Sequence, residues 1–297
     1  MCSIANLDSS FKQLLIGKIN AFMKRADSLL DKSIICRSVN EDYSGVVLLG
    51  PDHPWGELDL ETKRLQSEIY NEYMKLMEIG KSILYKSLPE NRAKFDEASV
   101  LLFQIVEQSQ YTWLKNIAEA KEKLKERVNT QIETINLAHG KMGDGILFLP
   151  DTNILISNPN LHDYKMKEKC NILFLPSILG ELDKLKNEHS NENVRKKAQT
   201  AIRNIKEYRR RGSLIDGVKI TDKIRLYGIA VEPKFDGKPS WLDPNNQDDR
   251  FIASCFEIIS MFPDSDAAIL TLDINLQNKA EYSLIPYIDP QEAGILN

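Results

Sequence analysis

Apolar positions recur with a helical period through the first half of the chain, and the pattern changes near residue 140. Phe11, Leu14, Leu15, Ile19, Phe22, Met23, Ala26, Leu29 and Leu30 fall on one face of a helix predicted over 10–34. Leu65, Ile69, Tyr73, Leu76, Ile79 and Ile83 do the same over 60–86. Between them, 37–57 holds a short apolar run, "GVVLLG", and then "PDHPWG", which reads as a loop. No Gly or Pro follows Pro89 until Gly140, so this stretch predicts one very long helix or two with a small break. In its second part Leu114, Ile117, Lys121, Leu124, Val128, Gln131, Ile135 and Ala138 alternate three- and four-residue steps. That is a heptad seam with two polar members. A seam of this length needs a partner, because helices draw most of their stability from packing. The partner is either the 60–86 helix, in a hairpin within the chain, or a second chain in a homodimer. Tyr70, Tyr73 and Trp113 offer aromatic surface to either arrangement.

"HGKMGDG" (139–145) ends the helical regime with three glycines in seven residues. Beyond it, short continuous apolar runs alternate with helical stretches. Strands of the doubly buried kind are predicted at 146–150, 171–176, 226–231 and 267–272, and helices near 178–188, 193–210 and 247–262. The pattern is that of an α/β domain with a mainly parallel sheet, over 145–297, preceded by an all-α domain over 1–140.

The net charge of −4 is shared equally between the parts before and after residue 141, so any nucleic-acid surface has to be local. The four cysteines are scattered, as are the four histidines, with no C-x-x-C or H-E-x-x-H spacing. A disulfide framework and a zinc centre are therefore not expected. Neither a signal-peptide pattern nor an apolar run of about 18 residues is present, so a cytoplasmic protein without membrane contact is expected.

In parallel sheets ligands bind at the carboxyl ends of the strands. Asp151 follows the first strand, Glu181 lies one helical turn beyond the second, Asp248 and Asp249 lead into the 247–262 helix, and Asp273 follows the last strand. Singly, these are explained by helix caps or a solvated helix face. Together at one edge they repel and call for a cation. Oxygen ligands without His or Cys select Mg²⁺ or Mn²⁺, which activate water and stabilise the leaving oxygen in phosphodiester hydrolysis.

"LPDTNIL", "LPSILGELDKLK", "NNQDDRFIASC" and "LTLDINLQNKA" resemble, in order and spacing, the four acidic motifs of PIN-domain nucleases. The resemblance covers about 145–290. It implies a Rossmann-like α/β/α fold and Mg²⁺- or Mn²⁺-dependent cleavage of RNA. By that match Asp151, Glu181 and Asp273 take the first, second and fourth acidic places, and Asp248, Asp249 or both take the third. Asn153 and Thr271 match polar positions that support the first and fourth. The segment between Gly212 and Asn246 is longer than in short toxin-type members and resembles larger PIN domains with a hairpin or loop beside the site. The helical half carries no family resemblance of this kind and so points to no particular substrate.

The densest basic feature is the 193–212 stretch. Val194, Ala198, Ala201, Ile205 and Tyr208 form its core face, leaving Arg195, Lys196, Arg203, Lys206 and Arg210 for a solvated face or for phosphate contact. Arg250 either pairs with the aspartates beside it or touches a phosphate. Phe235 and Trp241 either pack or stack on bases. The leading expectation is a metal-dependent endoribonuclease. DNA as substrate stays open, because a metal–carboxylate site does not itself test for a 2′-hydroxyl. An inactive PIN-like module that binds RNA or protein would be expected to have lost one of the acids. An aspartyl phosphatase would be expected to carry a second carboxylate where this chain has Asn153.

Overall fold

The computed structural model describes residues 10–36, 54–109 and 114–296, so the "GVVLLG" run and Trp113 lie outside the described residues. The chain divides into two compact units, Leu15–Ala138 and Met1–Leu14 with His139–Asn297. Among the described residues no helix is long and apolar enough to cross a membrane.

The first unit is helical: α1 (Phe11–Asp31, most of which belongs here), α2 (Leu60–Leu84), α3 (Pro89–Glu107) and α4 (Ile117–Asn136). Asp59 starts α2 by accepting from the Thr62 N–H at 2.9 Å, and Asn116 starts α4 by accepting from the Glu119 N–H at 2.9 Å. The stretch after Pro89 is two helices. The break falls at Gln108, in the left-handed region at φ 57°, whose side chain donates to the Ser33 hydroxyl at 2.6 Å. The heptad seam is filled from within this unit. Leu124, Val128, Gln131 and Ile135 are buried, and α4 packs against α3 and α2. Both polar seam members have partners here: the Gln131 amide donates to Tyr73 Oη at 2.7 Å and Ser99 Oγ at 2.8 Å, and Lys121 pairs with Asp27 and Asp31 of α1. Tyr73, expected to offer aromatic surface to a partner, is already covered within the unit. Its ring is 1% exposed, stacked on Phe22 with centroids 4.4 Å apart, because the hydroxyl finds buried partners on two other helices.

The second unit carries a six-stranded sheet in the order β3-β4-β2-β1-β5-β6, with β1 (Ile146–Pro150), β2 (Cys170–Phe174), β3 (Val218–Lys219), β4 (Ile224–Gly228), β5 (Ala267–Leu270) and β6 (Tyr287–Ile288). All neighbours are parallel except β3 and β4, which form a hairpin. Strands β2 and β5 are buried throughout, as continuous apolar runs predict. Strand β4 instead starts two residues earlier than expected, at Ile224, and alternates, with Arg225 exposed beside the short edge strand β3.

The helices are α5 (Thr152–Ser157), α6 (Pro176–Glu188), α7 (Glu192–Arg211), α8 (Gln247–Met261) and α9 (Ile274–Tyr282). The chain runs outward from β1 through β2 to β4, then crosses back to β5 on the other side of β1 and on to β6. Right-handed crossovers then put α5, α6 and α7 on one face and α8 and α9 on the other. The packing agrees: α5, α6 and α7 contact one another, and α8 contacts α9. Every residue of α8 from Phe251 to Ser260 is buried, as an all-round core helix requires. Its Glu257 pairs at 3.1 Å with Lys238, both side chains almost fully buried, which fastens the 229–246 segment to α8.

Candidate active site

The reversal of strand order between β1 and β5 is a topological switch point, where the carboxyl ends of adjacent strands open a crevice. Pro150 and Leu270 are register partners at that edge, and from each strand the chain turns directly into a helix. Asp151 is the N-cap of α5 and accepts from the Ile154 N–H at 2.8 Å. Asp273 is the N-cap of α9 and accepts from the Asn275 N–H at 2.8 Å. Capping thus explains both aspartates locally, and the caps also bring both carboxylates to the same edge.

Thr271 joins them. It is fully buried, donates its hydroxyl to Asp151 Oδ2 at 2.5 Å, and accepts from the Asp273 N–H at 2.9 Å. Glu181, in the second turn of α6, accepts from the Thr152 hydroxyl at 2.5 Å. Asp151 is 6% exposed, and burial pushes its carboxyl up to about 6. The hydrogen bonds from Thr271 and Ile154 pull it back, while the charges of Asp273 and Glu181 raise it further. Carboxylates from two other elements therefore bear on Asp151.

The fourth element behaves differently. Asn246 caps α8, and Asp248 and Asp249 occupy its first turn. Asp249 is buried with both oxygens engaged: Oδ2 accepts from the Asp243 N–H at 3.1 Å, and Oδ1 meets Lys279 Nζ at 2.8 Å. Lys279, from α9, also reaches Asn246 Oδ1 at 2.8 Å and lies 3.5 Å from Asp248. Among the described residues no three His, Cys, Asp or Glu side chains are drawn together as a formed metal-holding group. The donor chemistry nevertheless fits a hard divalent cation. The candidate donors are oxygen only, and buried Asp151 bears the charge of two neighbours, which a cation would relieve.

Asn153 is exposed on α5. Arg195 donates to the backbone oxygens of His189 (2.6 Å) and Ser190 (3.2 Å), closing the turn between α6 and α7, and Lys196 pairs with Glu192 at 2.7 Å. Arg203, Lys206 and Arg210 are exposed on α7. Arg250 is exposed and, with Ser177, Glu181, Lys184 and His189, lines a groove of about 600 Å³ beside the acidic edge. The cation that meets the aspartates is Lys279. Trp241 packs edge-on against Tyr282 of α9 at 5.2 Å. Sequence reasoning did not single out Thr152, Asp243, Asn246 or Lys279. Thr152 follows Asp151 directly and was legible as part of its motif. Lys279 was not, because it lies thirty residues from its partner Asp249 on another helix.

Residues 148–290 match the family model of the PIN domain. The C-terminal half of the chain is a PIN domain. The acidic motifs lie within the matched span, and the helical unit lies before it. A search of the curated proteins found no match. The long segment of this PIN domain between α7 and α8 holds the β3–β4 hairpin and the Lys238 latch, and it ends by delivering the Asp243 N–H to Asp249.

Proposed function

We propose that the PIN domain is a Mg²⁺- or Mn²⁺-dependent nuclease that hydrolyses RNA phosphodiester bonds. The observation that supports it most is the Asp151–Thr271–Asp273 bridge at the switch point, with Glu181 near enough for its charge to bear on Asp151. Asp151, Glu181, Asp273 and the Asp248–Asp249 pair would hold the ion. When bound, such an ion lowers the pKa of water and stabilises the leaving oxygen. The chain's own residues do the positioning. The Thr271 hydroxyl orients Asp151, the α5 and α9 caps aim two carboxylates at the edge, and Thr152 steadies Glu181. Exposed Arg203, Lys206 and Arg210 of α7, with Arg250 in the groove beside Glu181, supply cations for a phosphate backbone. RNA as the substrate rests on the resemblance of the four motifs. Among the described residues Cys36, Cys170 and Cys255 are free thiols, which supports a reducing, cytoplasmic setting.

A second reading, a module that binds without cutting, draws support from Lys279, which pairs with the third acidic position. Incubating the purified protein with RNA and DNA oligonucleotides, with Mn²⁺ or with EDTA, separates the readings. RNA should be cut only with the metal and not by Asp151→Asn. Cleavage of DNA alone would change the substrate class, and binding without cleavage of either would establish the second reading.

A further inference from the structure

Lys279 is the one cation among the described residues that touches the acidic edge. Its ammonium contacts three oxygens: Asp249 Oδ1 and Asn246 Oδ1 at 2.8 Å, and Asp248 Oδ2 at 3.5 Å. Its helix is capped by Asp273, so the same element brings both the fourth carboxylate and the cation that satisfies the third. The other three acidic positions are held by neutral donors, namely backbone N–H groups and the Thr152 and Thr271 hydroxyls. A charged group is used only where two carboxylates are adjacent in sequence and one of them is buried.

We infer that Lys279 is an internal counter-ion which a divalent cation must displace, so that metal binding at this edge is an exchange of one cation for another. The inference rests on the metal-site reading given above. Three features make the exchange feasible. The Lys279 side chain is 30% exposed, so its four-carbon stem can swing the ammonium into water. Asp249 keeps its orientation when Lys279 leaves, because the Asp243 N–H holds the other oxygen and the buried Lys238–Glu257 pair anchors the segment that carries it. Asp248 is half-buried and only loosely engaged, so it is free to turn with the incoming ion. Lys279 is thus a positioning residue. It keeps the third acidic position assembled in the metal-free protein and sets how readily the site fills.

The test is Mn²⁺ affinity, measured calorimetrically on the whole chain for the natural protein and for Lys279→Met, with Lys279→Gln as a second variant should the first fail to fold. Removing the competitor should tighten Mn²⁺ binding on the order of tenfold, the size expected for giving up one partly exposed ion pair. The gain should persist at about 0.5 M salt, where longer-range charge effects are largely screened. Unchanged or weaker binding would overturn the inference and make Lys279 a permanent clamp on Asp249. So would a gain that disappears at high salt, which would show only a field effect. If neither the natural protein nor the variant binds Mn²⁺, both the inference and the metal-site reading fall. If the natural protein binds Mn²⁺ normally and the variant is no tighter, only the inference does.

Discussion

Asp151 concentrates the electrostatic tension of the molecule. Its carboxyl sits at about 6 against an ordinary 3.8, chiefly because burial disfavours the charged form. The folded state therefore binds this proton more tightly than the unfolded chain. The cost of ionising Asp151 is absent below about pH 4, grows as pH rises, and is complete above about pH 6; a shift of this size corresponds to roughly 3 kcal/mol. Asp151→Asn removes the charge while keeping an oxygen that can accept from the Ile154 N–H. In EDTA the variant should be about 2–3 kcal/mol more stable than the natural protein near pH 7, and nearly equal to it near pH 4. Denaturant titrations at the two pH values check this, and an offset that does not change with pH would show that the charge is not the cause.

At the scale of elements, the helical unit shows what packing requires. Gly80 of α2 lies so close to the buried ring of Phe95 in α3 that a Cβ there would overlap the ring. Alanine is the better helix former by about 1 kcal/mol, but overpacking a filled core costs about 1–3 kcal/mol. Gly80→Ala should therefore lower the melting temperature of this unit, and a rise would mean that the ring moves aside freely. The α4 seam makes the second case. Because Leu124 and Val128 are 1% and 0% exposed within the unit, replacing both with Glu should abolish its cooperative melting. A folded monomer from a formerly dimeric protein, seen by light scattering, would instead assign the seam to a second chain.

For the molecule as a whole, the net charge is negative, and phosphate binding must come from local surfaces. Arg195 and Lys196 are committed to the α6–α7 turn and to Glu192, so the exposed Arg203, Lys206 and Arg210 remain the best candidates on α7. Changing these three to Glu should weaken RNA binding and flatten the dependence of log affinity on log salt. The slope should fall by about 0.7 for each phosphate that is no longer neutralised. An unchanged slope would leave α7 as a solvated face.

Much of this was legible in the sequence. Apolar periodicity marked α1, α2, α6, α7 and α8, and unbroken apolar runs marked β1, β2 and β5, because both signals follow from which side chains must leave water. Asp151, Glu181, Asp273 and the Asp248–Asp249 pair were visible because strand ends and motif order are local properties. The short elements β3, β6 and α5 were not legible, since two to six residues carry no period and take their form from neighbours already in place. Tertiary structure alone decided what fills the α4 seam, where the hydroxyl of Tyr73 goes, and which cation faces Asp249. The heptad pattern states that a face must be buried but not against what. Gln131 with Tyr73 and Lys279 with Asp249 meet across distant parts of the chain, and no spacing rule relates them. Such pairs form because the fold closes them at contact distance, where leaving a buried polar group without a partner is costly.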